Sequence, residues 1–286
     1  MASESPSSLA ELWPLAGGSR PWLVDLVQAE VGGGRISRVG LEAIDKRPDA
    51  TGLNVSGLDQ AAFETLITTY GGQFSGIYFW KCPRIEDLGP LEDLPNLRHV
   101  GFFWNQRTSR LWDLSRNPLL RGIRFEDFTR LHDLEDLRRA SSIEELRFGS
   151  AVWTKSVIAS LSPLESLPQL RSLSFDAKTI EDGRIQPLAE LQQLQSLRFP
   201  SNQFTTRQVA WLRARLPDPL QSTSLEPIWG FKEPIGEGEY PRDTLVVGKR
   251  KPWLNSTRDA EKIERYVDEF WKMVEEFRQY PERQPD

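Results

Sequence analysis

One short pattern of apolar and variable positions recurs along the middle of the chain. An apolar residue, two variable residues, an aliphatic residue and one variable residue precede a phenylalanine, as in LRHVGF and LRGIRF. The phenylalanines follow one another at steps of 23, 23, 23, 27 and 24 residues: Phe79, Phe102, Phe125, Phe148, Phe175 and Phe199. A related phrase ending at Val55 fits one step earlier. Fixed spacing of this kind predicts a solenoid of stacked repeats.

The alternation within each repeat predicts its local structure. An aliphatic residue two positions before each phenylalanine gives the period of a half-buried strand. A leucine lies eleven positions before five of the phenylalanines, and it must come from a return arm that covers the strand. A single unit of this size cannot bury its apolar face alone. We therefore predict a parallel sheet of about seven strands with a continuous row of phenylalanines inside.

The repeat resembles that of leucine-rich repeat proteins, and its return arms are similar to the bacterial internalin type. RIEDLGPLEDLPNL and TIEDGRIQPLAELQQL carry this likeness most clearly, and it covers roughly residues 50–217. The family usually places Asn or Cys three residues beyond the last strand position, which here gives Cys82, Asn105 and Asn202. The corresponding positions of three other repeats hold Phe128, Ala151 and Lys178. The resemblance implies an α/β solenoid, a horseshoe with a parallel concave sheet, and a role in partner binding.

The segments that flank the repeats are predicted to cover the two ends of the solenoid. Residues 1–49 are interpreted as an N-terminal cap with a disordered first dozen residues, an apolar segment around Trp22–Val27 and a strand at ISRVGLEA. Apolar spacing predicts helices over 58–70 and 205–217. Residues 218–286 are interpreted as a Pro- and Gly-rich linker, a strand at TLVV and a terminal helix, with Ser256 and Asp259 resembling a capping box. The helix carries a broad apolar stripe: Ile263, Tyr266, Val267, Phe270, Trp271, Val274 and Phe277.

The composition excludes several classes of function. A net charge of −5 argues against a nucleic-acid binder driven by overall positive potential. One cysteine, Cys82, and two histidines, His99 and His132, are too few for a recognisable metal set, so no metal and no cofactor is expected. No stretch approaches the ~18 apolar residues of a membrane helix. The N-terminus lacks the features of a secretory signal. We expect a cytoplasmic protein without a membrane partner.

The candidate site lies on the face of the sheet opposite the phenylalanines, which we call the concave face. Strand residues flanking the buried aliphatics must point to this face. Aromatic and charged residues are concentrated there, and Tyr, Trp and Arg dominate interface energetics. The alternative is that they pack on one another or beneath the C-terminal segment. The predicted binding residues are Tyr78, Trp80, His99, Phe103, Trp104, Arg124, Glu126, Glu145, Arg147, Asp176 and Arg198.

These patterns favour a non-catalytic module that binds a protein partner on the concave face. No catalytic residue is assigned, because Cys82 falls on the turn position of the repeat and the two histidines lie too far apart in the repeat frame to share a site. The additional residues of the 27-step repeat, within AVWTKSVIAS, lie on one edge and either enlarge the binding face or reflect tolerance of loop length. The terminal helix either caps the solenoid or mediates assembly, and a monomer is favoured over a homodimer. An enzyme with activity in residues 218–286 is the weakest alternative, since that region has no Cys and no His.

Overall fold

The centre of the molecule is an eight-stranded parallel sheet whose strands succeed one another in chain order. The structure, a computed structural model, describes residues 5–14, 18–30, 32–152, 155–237 and 239–285. The strands of this sheet are β1 (Leu23–Leu26), β2 (Gly52–Ser56), β3 (Gly76–Trp80), β4 (His99–Asn105), β5 (Gly122–Phe128), β6 (Glu145–Gly149), β8 (Ser172–Asp176) and β10 (Ser196–Arg198). Two short strands, β7 (Val157–Ile158) and β9 (Thr179–Ile180), pair with each other. The predicted solenoid and its parallel sheet are confirmed.

The phenylalanine ladder lies on one face of this sheet, as the repeat predicts. Neighbouring strands place Phe125 opposite Phe148 and Phe148 opposite Phe175, and these rings stack with centroids 5.6 and 5.3 Å apart. Between Phe102 and Phe125 the regular stacking gives way to Phe128, which meets both rings edge-on at 5.8 and 6.0 Å. Phe128 occupies a position where the resembled family has Asn or Cys. A buried aromatic ring therefore replaces the expected polar side chain at this turn.

The return arms are short 3₁₀ turns. They include Gly89–Asp93, Glu135–Arg139, Ser162–Ser166 and Gln186–Glu190. Their central leucines, Leu91, Leu137, Leu164 and Leu188, are buried against the sheet, as the eleven-residue offset predicts. Three of the turns carry proline in their first two positions, where a missing N–H costs no helical hydrogen bond.

Only one of the two predicted asparagine turns is formed. The Asn105 side chain donates to the Ile85 carbonyl and accepts from the N–H groups of Arg107 and Thr108, so it satisfies backbone groups of two repeats. Asn202 is exposed instead, while Ser201 and Gln203 beside it are buried. The last repeat differs because the chain turns directly into a helix there.

In the part of the chain that the structure describes, five α-helices lie outside the sheet. They are α1 (Leu9–Leu12), α2 (Arg38–Leu41), α3 (Gln60–Tyr70), α4 (Thr206–Arg213) and α5 (Ala260–Gln279). The helices predicted over 58–70 and 205–217 are α3 and α4. The strand predicted at ISRVGLEA is wrong: Ser37 caps α2 by accepting from the Gly40 N–H, and a 3₁₀ turn follows over Glu42–Lys46. Within the described ranges, no helix has the length and apolar character needed to cross a membrane.

The C-terminal region forms a second, antiparallel sheet rather than a linker followed by one strand. It contains β11 (Ile228–Ile235), β12 (Arg242–Val246) and β13 (Trp253–Leu254). β11 falls within the segment interpreted as a linker, and β12 contains most of the predicted TLVV strand. The capping box does not form, because Ser256 bonds to Asp243 and Asp259 accepts from the Asn255 N–H.

The terminal helix packs on α4 at the end of the solenoid. Phe270, Val274 and Phe277 are buried in the same core as the ladder. Arg207 of α4 pairs with Glu276 of α5 at 3.1 Å. The N-terminal half of the predicted stripe is only half-buried, and Trp271 is 38% exposed. The buried residues of the stripe therefore pack as a cap on the end of the solenoid.

Candidate functional site: a groove on the concave face

The concave face is divided into a covered part and an open groove. The groove has a volume of about 660 Å³ and lies between an N-terminal wall and the C-terminal sheet. Seven of the eleven predicted binding residues line it: Trp80, Phe103, Arg124, Glu126, Arg147, Asp176 and Arg198. Strand alternation brings them together, because β3, β4, β5, β6, β8 and β10 each direct alternate side chains to this face.

Aromatic rings form both walls of the groove. On the N-terminal wall, Trp80 stacks on Phe103 at 4.5 Å, and Trp13 meets Trp80 edge-on at 5.2 Å. On the opposite wall, Phe231 of β11 stacks on Trp253 of β13 at 5.2 Å, and Trp229 lies beside them. The groove thus offers large flat apolar surfaces on two sides.

Charged side chains lie on the floor between these walls. The Glu126 carboxylate accepts from Arg124 Nε at 2.5 Å and from Arg147 Nε at 2.6 Å. Side-chain exposure is 3% for Glu126 and 46% for Arg147, so the pair is buried at one end and open to the groove at the other. The Arg124 guanidinium also lies 3.8 Å from the ring centroid of Trp13. Burial lowers the pKa of Arg124, while Glu126 counteracts that shift.

Two further charges at the C-terminal end of the floor are exposed. Among the residues that the structure describes, neither Asp176 nor Arg198 has an ion-pair partner within 4 Å. Burial raises the pKa of Asp176 and the charge of Arg198 lowers it. With Arg147, these groups are available to pair with a ligand.

The other predicted residues do not reach the groove. Tyr78 and His99 are on the predicted face but are buried beneath residues 5–13, whose helix α1 contacts β3 and β4, so the expectation that they contact a partner does not fit this structure. Burial raises the pKa of the Tyr78 hydroxyl and lowers that of His99 to about 4. Glu145 accepts from the Leu9 N–H at 3.1 Å, and burial raises its pKa. Trp104 is half-buried against the aromatic cluster of the N-terminal wall.

The N-terminal segment that covers them was predicted to be disordered. Residues 5–13, which we call the N-terminal segment, run across the concave face and include α1. Leu9 and Leu12 are buried there. The spacing of Leu9, Leu12 and Trp13 in a Ser-rich stretch was the available signal. It was missed because four residues form too short a helix to show a period.

The C-terminal wall was also missed. Trp229, Phe231 and Trp253 lie in segments whose proline and glycine content suggested loops. Their density of aromatic residues was the signal that could have identified them. Ala151 and Val152 of the insertion after β6 line the groove, together with Ser150, which precedes the insertion.

The described residues offer little for nucleophilic or metal chemistry. Cys82 is buried, and burial raises the pKa of its thiol to about 12, so the reactive thiolate is disfavoured. No group of three or more potential metal ligands forms within the part of the chain that the structure describes.

The chain has little sequence similarity to known proteins. No protein-family model matches the chain, and no curated protein matches it. Among solved structures, it is similar to an internalin (InlF) from Listeria monocytogenes, with 16% identity and a TM-score of 0.42. The match covers 65% of this chain and 56% of the internalin chain. The repeat geometry of the chain itself, with short parallel strands, 3₁₀ return arms and buried leucines, is that of a leucine-rich repeat solenoid.

Proposed function

We propose that the protein is a non-catalytic interaction module that binds a protein partner in the groove of the concave face. The observation that carries this proposal is the combination of aromatic walls with exposed, incompletely paired arginines on the floor. A few residues carry most of the binding energy in protein interfaces, and Tyr, Trp and Arg are enriched among them. A surface of this composition has no role in the solenoid core, which is complete on the other face of the sheet.

The chemistry of the groove favours a partner segment that carries both apolar and acidic side chains. Arg147 and Arg198 are exposed and can donate two parallel hydrogen bonds to a carboxylate. The rings of Trp80 and Trp253 flank this floor and would pack on aromatic or aliphatic side chains. The three arginines outnumber Glu126 and Asp176, so the lining has an excess of one positive charge.

Substitution of the two exposed arginines tests the proposal. In Arg147→Ala/Arg198→Ala, capture of partner proteins from native lysate should be lost, because the floor then has no exposed cation. The matched control is Arg138→Ala, whose side chain lies on an exposed return arm and pairs with Glu135 at 2.6 Å. Unchanged capture by the double variant, with unchanged thermal unfolding, contradicts the proposal.

Trp80→Ala is a second test of the same site. We expect loss of capture together with a moderate loss of stability, about 1–3 kcal/mol, because Trp80 also pairs with Phe103 and Trp13 and such aromatic pairs contribute roughly 0.5–1.5 kcal/mol each. The two arginines are therefore the cleaner functional probes. Light scattering tests the separate prediction of a monomer.

A further inference from the structure

The N-terminal segment lies on the concave face in the manner of a bound peptide. Glycines occupy the strand positions that this segment approaches most closely. A Cβ placed on Gly76 would lie 2.5 Å from Pro6 Cγ, and one on Gly122 would lie 2.9 Å from Leu9 Cγ. The surface of β3 to β5 is therefore shaped to receive an apolar segment that crosses it.

This segment does not belong to the core that holds the solenoid together. Leu12 packs with Tyr78 and Phe103 in a separate cluster on the concave face, whereas the ladder and the return-arm leucines form the main core. In the described part of the chain, one hydrogen bond joins the segment to the sheet, from the Leu9 N–H to Glu145. Release of the segment would therefore leave the contacts between the repeats intact.

Polar groups of the sheet are covered on this face without being satisfied. Among the described residues, both amide atoms of Asn54, the hydroxyl of Tyr78 and Nδ1 of His99 are buried without a hydrogen-bond partner. All three residues are at most 4% exposed and lie on strands beside α1. A buried polar atom without a partner carries a desolvation penalty. That penalty falls on the covered state and is relieved when the face is uncovered.

The segment also bounds one end of the groove floor. Trp13, at its end, covers one side of the Arg124 guanidinium and forms part of the N-terminal wall. A ligand that reaches the buried side chains of Tyr78 or Asn54 must first displace this ring and the leucines that precede it.

We propose that residues 5–13 are a displaceable intramolecular ligand, which occupies half of the concave face and is exchanged for a partner segment of similar apolar character. Displacement of the segment itself requires no partner protein. Its regulatory consequence, competition with a partner, rests on the function proposed above.

Hydrogen exchange on the full-length protein tests the displacement directly. The amide of Leu9, which is hydrogen-bonded to Glu145, should exchange at least about tenfold faster than the amides of β4, because local opening exposes it without unfolding the repeats. Exchange of the Leu9 amide and the β4 amides at the same rate would show that the segment is released only on global unfolding. That result overturns the proposal.

A synthetic peptide of residues 5–13, labelled with a fluorophore, tests whether the face is a peptide site. The full-length variant Leu9→Asp/Leu12→Asp should bind it at least about tenfold more tightly than the wild type does, because the site is vacated in the variant. The same peptide carrying both Asp substitutions is the control and should bind neither protein. Equal binding of the unmodified peptide to both proteins, or no binding to the folded variant, contradicts the proposal.

These outcomes are separable from failure of the proposed function. Exchange rates and peptide binding require no partner. If Arg147→Ala/Arg198→Ala retains capture while the peptide still binds the vacated face, only the groove assignment is wrong.

Discussion

The two faces of the same parallel sheet are organised differently. On the ladder face most repeats contribute the same kinds of contact, a phenylalanine beside its neighbours and a leucine from the return arm, so the core continues from one repeat to the next. On the concave face no two strands of the sheet carry the same set of outward-facing residues. Glycines accommodate the N-terminal segment at one end, and charged and aromatic side chains form the groove at the other. Repetition builds the scaffold, and the departures from it form the candidate site.

The largest expected effect is on the ladder face. Phe125→Ala should lower the free energy of unfolding by about 3–5 kcal/mol, because it removes a buried ring and leaves a cavity. Denaturant unfolding measures this change. A loss within about 0.5 kcal/mol, the range of ordinary surface substitutions, would show that the ladder is not the core.

A comparable effect is expected at one point of the concave face. Glu126→Gln leaves Arg124 buried without a counter-charge, and breaking a buried pair in this way costs about 3–5 kcal/mol. The control is Glu135→Gln, whose partner Arg138 is exposed and whose pair should contribute at most about 1 kcal/mol. Equal effects of the two substitutions in denaturant unfolding would indicate that solvent screens the groove floor fully.

The covered half of the concave face should give a smaller, pH-dependent effect. The pKa of His99 is lowered to about 4 in the folded protein, so between its ordinary value of about 6.5 and pH 4 the unfolded chain binds a proton more readily. Stability should therefore fall as the pH is lowered through this window, by on the order of 2–3 kcal/mol.

Comparison with His99→Leu isolates this contribution. Burial raises the pKa of Glu145, which acts in the opposite direction and is present in both proteins, as are the nearby charges of Glu11, Arg98, Arg121 and Glu144. Unfolding free energies measured from pH 7 to pH 4 should fall more steeply for the wild type. Parallel curves would show that His99 is reached by solvent in the folded protein.

The smallest effect on stability is expected in the open groove. Arg198→Ala should change the free energy of unfolding by no more than about 0.5 kcal/mol, since its side chain is exposed and has no ion-pair partner among the described residues. Thermal unfolding checks this. A large loss would place Arg198 in a structural role and remove it from the site.

The sequence predicts the ladder face well and the concave face only in part. Repeated spacing identifies Phe148, Leu164 and their equivalents, because each repeat must bury an apolar side chain at the same position. Strand alternation also places Arg124 and Arg147 on the correct face. The pattern gives no information about residues that arrive from outside the repeats, such as Trp13 and Trp229. Their positions depend on tertiary packing, which also buries Tyr78 and His99.

Site-specific photo-crosslinking tests the central claim most directly. A photoreactive amino acid is placed at position 152, an exposed position that lines the groove, and, as the control, at position 165 on an exposed return arm, each in the full chain. Position 152 should give a specific adduct with a partner from native lysate, suppressed by excess unlabelled wild type and not by excess Arg147→Ala/Arg198→Ala. An adduct at position 165 with none at 152 would contradict the assignment of the binding surface to the concave groove.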